Sequence, residues 1–197
     1  MRKVIACEWT SLDGVVQSPA YRDEDPSGGF RHGGWHPRYF DAASMKWVVA
    51  NVTQAGGFLL GRRTYDTFAA HWPNASAEEQ QLAKPLNSLP KYVASRTLKE
   101  PLAWQNSSLL QGDIAEAVAA LKREAGADLL TIGSTELLHA LMAHDLVDEF
   151  RFMIDPLILG GGKRFFRDDG RLAALRLVAS EVTSTGAILA TYAREAR

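Results

Sequence analysis

The sequence predicts an α/β protein, a mostly parallel central sheet that ends in an antiparallel hairpin. Three observations carry that reading. Short apolar runs alternate with stretches of helical spacing through most of the chain. Several of those runs stop at glycine, serine or arginine rather than at hairpin turns. Near the end the alternation gives way to two strand-like runs, 175–183 and 187–193, around Ser184-Thr185-Gly186.

In chain order, Lys3–Trp9 reads as a central strand. Thr10-Ser11-Leu12-Asp13-Gly14 breaks it, and Val15-Val16-Gln17 resumes it briefly. Residues 18–37 form a long loop rich in Gly, Pro, Asp and Arg. Its Tyr21, Phe30 and Trp35 favour a mobile lid with apolar anchors over a linker. The spacing of Phe40, Ala43, Trp47 and Ala50 predicts a helix over 38–54, stopped by Gly56-Gly57. Phe58-Leu59-Leu60 is a buried strand that turns at Gly61 into a helix carrying Tyr65 and Phe68. Residues 74–89 form a loop with a helical piece before Pro90. Lys91–Ala94 is a strand ending at Ser95-Arg96-Thr97, and 107–110 is a weaker one. Asp113–Ala125 is the clearest helix, with Asp113 as cap, Glu116 as its box partner and Gly126 as the stop. The strand 128–132 leads to Gly133-Ser134-Thr135-Glu136 and a helix bearing Leu137, Leu138, Leu141 and Met142. Val147–Ile154 is a further strand, and Pro156-Leu157-Ile158-Leu159 runs into Gly160-Gly161-Gly162.

At 197 residues, 46% hydrophobic and 23% charged, the chain suits one domain over 1–197 with a sizeable core. The net charge of −1 gives no electrostatic case for nucleic acid. The one cysteine, Cys7, allows no intrachain disulfide, and no apolar stretch approaches the ~20 residues of a membrane span. No signal peptide precedes the first strand. A cytoplasmic protein with no membrane or nucleic-acid partner is expected.

The chemistry gathers at strand ends. A strand turning at glycine into a helix presents free backbone N–H groups and the positive end of the helix dipole. Gly61-Arg62-Arg63-Thr64, Ser95-Arg96-Thr97 and Gly133-Ser134-Thr135-Glu136 all follow strands, where ligands of open α/β sheets bind. Their arginines and hydroxyls suit a ligand with more than one phosphate. Gly61-Arg62-Arg63-Thr64 alone reads equally well as a solvated surface turn, and Ser95-Arg96-Thr97 alone favours that reading, but all three turns on consecutive strands are much less expected by chance. No Gly-x-Gly-x-x-Gly follows a strand, and Gly160-Gly161-Gly162-Lys163-Arg164 lacks the spacing of a nucleotide P-loop. The five histidines show no zinc-binding spacing, so no metal is expected. Ser11 and Cys7 have no partner motif as nucleophiles.

The same stretches carry a resemblance. Ser11-Leu12-Asp13-Gly14, Leu60-Gly61-Arg62-Arg63-Thr64-Tyr65, Lys91 to Leu98, Ile132-Gly133-Ser134, Leu146 to Phe150 and Pro156 to Phe166 recur in order along most of the chain. In these the chain resembles the dihydrofolate reductase-like superfamily, and most closely the family sharing the reductase domain of bifunctional riboflavin-biosynthesis deaminase/reductases. The resemblance implies a three-layer fold with helices on both faces, NADPH as cofactor, and a homodimer. By position, Gly61, Arg62, Arg63 and Thr64 would hold the pyrophosphate and 2′-phosphate side, with Ser95, Arg96 and Thr97 beside the adenosine. Ile132, Gly133, Ser134, Thr135 and Glu136 would place a helix N-terminus on the pyrophosphate. Folate reductases usually carry a glycine pair where this chain has Gly133-Ser134, and Glu136 would compete for the same N–H groups.

On the substrate side the resemblance implies Trp9, Ser11, Asp13, Pro156, Leu157 and Gly160, with Asp41 or Asp13 as the catalytic carboxylate. Asp41 reads equally as a helix N-terminal residue and Asp13 as a turn residue. Nothing supplies a deaminase domain or its zinc ligands. Two functions follow: hydride transfer from NADPH to a pterin-like, pyrimidine-like or carbonyl substrate, or non-catalytic nucleotide or small-molecule binding on the same scaffold.

Overall fold

The computed structural model describes residues 1–195. Its strands are β1 (Val4–Ser11), β2 (Gly57–Gly61), β3 (Lys91–Ala94), β4 (Ser107–Leu109), β5 (Leu129–Ile132), β6 (Glu149–Asp155), β7 (Leu175–Val182) and β8 (Ile188–Arg194). Its helices are α1 (Ala42–Thr53), α2 (Arg62–His71), α3 (Gln80–Ser88), α4 (Ile114–Arg123) and α5 (Thr135–Ala143). The eight strands form one sheet in the order β4-β3-β2-β5-β1-β6-β8-β7. The pairs β3/β4, β2/β3, β2/β5 and β1/β5 are parallel, while β6/β8 and β7/β8 are antiparallel. The expected parallel sheet with its antiparallel C-terminal hairpin is therefore present.

The chain packs as two compact units. The first comprises Met1–Cys7 and Val48–Asp148; the second comprises Glu8–Trp47 and the residues from Glu149 on. In the first, Phe58, Leu59 and Leu60 are at most 1% exposed, which fits a continuous apolar run in a strand covered on both faces. Two lysines are drawn into this unit. Lys122 Nζ donates to the Leu146 carbonyl at 2.8 Å and to Asp148 at 2.5 Å, and Asp148 also accepts the Val4 N–H. Lys91 is buried, and its Nζ donates to the carbonyls of Leu86, Asn87 and Leu89 at the end of α3.

In the second unit, the 18–37 loop is stapled to its own base. Gly34 N–H donates to the Ser18 carbonyl, His36 N–H to that of Pro19, and the Trp35 indole to that of Gln17. The Gln17 amide in turn donates to the Asp25 and Ser27 carbonyls. Gly33 must be glycine, since a Cβ there would lie 2.1 Å from the Arg22 carbonyl oxygen.

Several boundaries differ from the sequence reading. The helix expected from Arg38 begins at Ala42: Pro37–Tyr39 is a single 3-10 turn, Phe40 is extended, and Asp41 caps Ser44. The expected resumption at Val15 is one isolated bridge to Arg164. Helix α4 stops at Arg123, short of Gly126, while Asp113 accepts the Glu116 N–H as foreseen.

Candidate functional site

In the first unit the parallel register aligns Gly61 with Ala94, so the turns after β2 and β3 leave the sheet side by side. The turn after β5 is joined to the β2 turn directly. Ser134 Oγ accepts the Gly61 N–H at 2.9 Å and donates to Thr64 Oγ1 at 2.9 Å. Gly133 and Ser134 are consecutive residues of positive φ (63° and 62°), so the chain turns sharply between β5 and α5. A Cβ at Gly133 would lie 3.3 Å from Thr64 Oγ1, a tight contact, and the positive φ there also favours glycine.

Neither α2 nor α5 has a side-chain cap from its N-cap residue, Gly61 or Ser134. Helices α1 and α4, by contrast, are capped by Asp41 and Asp113. The positive ends of the α2 and α5 dipoles thus lie at neighbouring strand ends with no cap from Gly61 or Ser134, and the residues present fit a pyrophosphate. Arg62 is committed in part to Asp66 at 3.1 Å. Arg96 is exposed and makes no ion pair among the described residues, in a turn held by the Ser95 hydroxyl, which accepts the Thr97 and Leu98 N–H groups. The Glu136 carboxylate is exposed and lies 3.9 Å from His139, along the helix. Ile132 is buried in β5.

In the second unit, Ser11, Asp13, Leu157 and Gly160 form one network. Ser11 Oγ donates to Asp13 Oδ1 at 2.7 Å, the Leu159 and Gly160 N–H groups donate to the Asp13 carboxylate, and Leu12 N–H donates to the Leu157 carbonyl. Burial raises the affinity of Asp13 for a proton, but the Ser11, Leu159 and Gly160 hydrogen bonds outweigh it and hold the carboxyl below its ordinary value. Asp13 thereby fixes the glycine loop, which with Gln17 and residues 27–32 lines a cleft of about 560 Å³. Phe30 packs against Gly162 in that wall, Trp35 is buried, and Tyr21 is exposed.

Asp41 is engaged elsewhere. One oxygen accepts the Ser44 N–H and hydroxyl; the other accepts the Ser184 N–H and hydroxyl. The Ser184 hydroxyl, with the Ser44 amide, holds it well below the usual carboxylate range. Trp9 packs with Tyr39, Phe40 and Trp47 around Met153, and Pro156 is exposed.

Sequence reasoning missed the groups here that hold protons more tightly. Asp155 is fully buried, 2.9 Å from His36 Nδ1, with no partner for Oδ1; burial raises its carboxyl, and the His36 hydrogen bond offsets this only in part. Glu8 is buried with Oε1 unpartnered, and burial, with Glu24 adding, pushes it well above the usual value. His36 and Asp155 are 119 residues apart, and no local pattern links them. Among the described residues no group of three His, Cys, Asp or Glu side chains is placed to hold a metal, and no helix is long and apolar enough to cross a membrane.

The family model for the RibD C-terminal domain matches residues 2–189. The chain belongs to the RibD C-terminal domain family. The Bacillus subtilis protein YyaP, itself uncharacterised, is 33% identical over 144 residues, 72% of this chain and 75% of that protein. A crystal structure of a protein assigned provisionally to riboflavin biosynthesis, from Shewanella sp. PV-4, matches with a TM-score of 0.68 at 22% identity, covering 98% of this chain and 99% of that one. A pyrimidine reductase-like protein from Corynebacterium diphtheriae matches at 0.65 and 12% identity, covering 100% and 93%. These two share the fold, and the expected kinship with the reductase domain of the riboflavin-biosynthesis deaminase/reductases holds at the level of the family.

Proposed function

We propose that this RibD-family chain is an NADPH-dependent oxidoreductase that reduces a small heteroaromatic or carbonyl compound of the pterin or pyrimidine kind. The supporting observation is the pair of uncapped helix N-termini, α2 and α5, brought together by the Ser134 hydroxyl at the ends of neighbouring parallel strands. Family membership and a pyrimidine reductase-like fold neighbour point the same way. When bound, the cofactor supplies the hydride.

The chain's own residues bind and orient. The α5 turn, Gly133 to Glu136, and the α2 turn, Gly61 to Thr64, receive the pyrophosphate. Arg63 and Arg96 take the 2′-phosphate, with Ser95 and Thr97 shaping that turn. Trp9, Ser11, Pro156, Leu157 and Gly160 serve the substrate side. Asp13 and Asp41 are positioning residues in this reading, because hydrogen bonds hold both carboxylates ionised. Glu8 and Asp155 are the carboxyls of this unit that retain a proton more readily.

NADPH is expected to bind more tightly than NADH by about 1–3 kcal/mol if one arginine holds the 2′-phosphate. Titration calorimetry at moderate salt measures this, and equal affinities would refute it. The saturation of Asp13 and Asp41 also favours a second reading, a nucleotide-binding protein without catalysis. NADPH oxidation across dihydropterins, pyrimidinones and quinones decides between them.

A further inference from the structure

We infer that Ser134 is a positioning residue that locks the β2–α2 and β5–α5 turns into one anion-binding unit. The observation is a single hydroxyl with two partners 70 or more residues away. It accepts the Gly61 N–H and donates to Thr64 Oγ1, both at 2.9 Å. Ser134 holds a left-handed backbone (φ 62°, ψ 38°), unfavourable for a residue with a Cβ. Glycine would adopt that backbone more readily but could not make either bond. The strain is therefore coupled to the link.

The link also decides which N–H groups remain. Gly61 sits at the N-cap of α2, and its N–H is consumed by Ser134. An anion binding there meets the N-terminal ends of α2 and α5, whose spacing the Ser134 hydroxyl sets. A ligand spanning both helix ends, such as a pyrophosphate, depends on that spacing. A ligand held only by monophosphate contacts does not. The inference rests on the cofactor reading for its ligand and on the hydrogen bonds alone for its geometry.

The test uses the full chain with Ser134→Gly, which keeps the left-handed backbone and deletes the hydroxyl, and Thr64→Val, which deletes one partner. Amide hydrogen exchange at 61–64 and 134–137 should speed by about tenfold in Ser134→Gly, less in Thr64→Val, and stay unchanged in α4. Affinity for NADPH should fall by about tenfold in Ser134→Gly, while 2′,5′-ADP, which lacks a pyrophosphate, should change by less than about twofold. Unchanged exchange at 61–64 overturns the link. Equal weakening of both ligands, or of neither, overturns the positioning role. Wild-type protein that binds neither ligand overturns the cofactor reading and the pyrophosphate role with it, and the exchange result still decides the link.

Discussion

Glu8 carries an energetic cost that its neighbours do not offset. It is 3% exposed, its Oε1 has no hydrogen bond, and burial raises its carboxyl well above the ordinary value. The folded chain thus holds this proton more tightly than the unfolded chain does. Stability from this group is full below the unfolded carboxylate value and falls as pH rises through the raised one. Glu8→Gln removes that loss. Its melting temperature should exceed the wild type's at about pH 8, and the margin should shrink toward about pH 4. A margin that widens on acidification would contradict this assignment. Asp41 behaves in the opposite sense. Its lowered carboxyl contributes stability above the unfolded value, lost only as pH falls through the lowered one.

Helix α3 ends on a charge rather than on a glycine. The Lys91 ammonium lies 4.4 Å from the Trp104 ring centroid and donates to three carbonyls, and burial lowers it to about 8. Lys91→Met keeps the apolar stem but leaves those carbonyls unpaired, so denaturant unfolding should show a loss of about 2–3 kcal/mol. A loss near zero would mean that water replaces the ammonium. At this scale the sequence was informative wherever a signal is local. The Phe58-Leu59-Leu60 run, the Gly61 turn and the Asp113 cap each lie within a few residues of what they act on. Asp41 was legible only as a helix start or a carboxylate in the right order, because its second partner, Ser184, is 143 residues away. The His36–Asp155 pair left no trace for the same reason. Lys91 looked like an ordinary strand residue, since nothing beside it in sequence shows that its side chain reaches back to α3.

Across the whole molecule, the sheet's last strand stands open. Every residue of β7 after Leu175 is exposed. Val178 has no partner in β8, which marks a bulge, and Val182 faces Ile188, so Leu177, Val178, Val182 and Ile188 expose apolar surface along the hairpin. Edges and patches of this kind are usually covered. A homodimer is the expected outcome by light scattering at micromolar concentration, and Val182→Asp should shift it toward monomer. A monomeric wild type would count against the dimer. The stapled loop has a different consequence. Gly33 meets Arg22, and Gln17 and Trp35 hold the flanks, so the two ends of the tip are fixed whatever lies between them. Gly28 and Gly29 project into open space, and the cost of closing a loop grows only slowly with its length. That dipeptide is where a foreign peptide could be spliced into the chain with the staples intact, at the expense of the cleft wall that it helps to form.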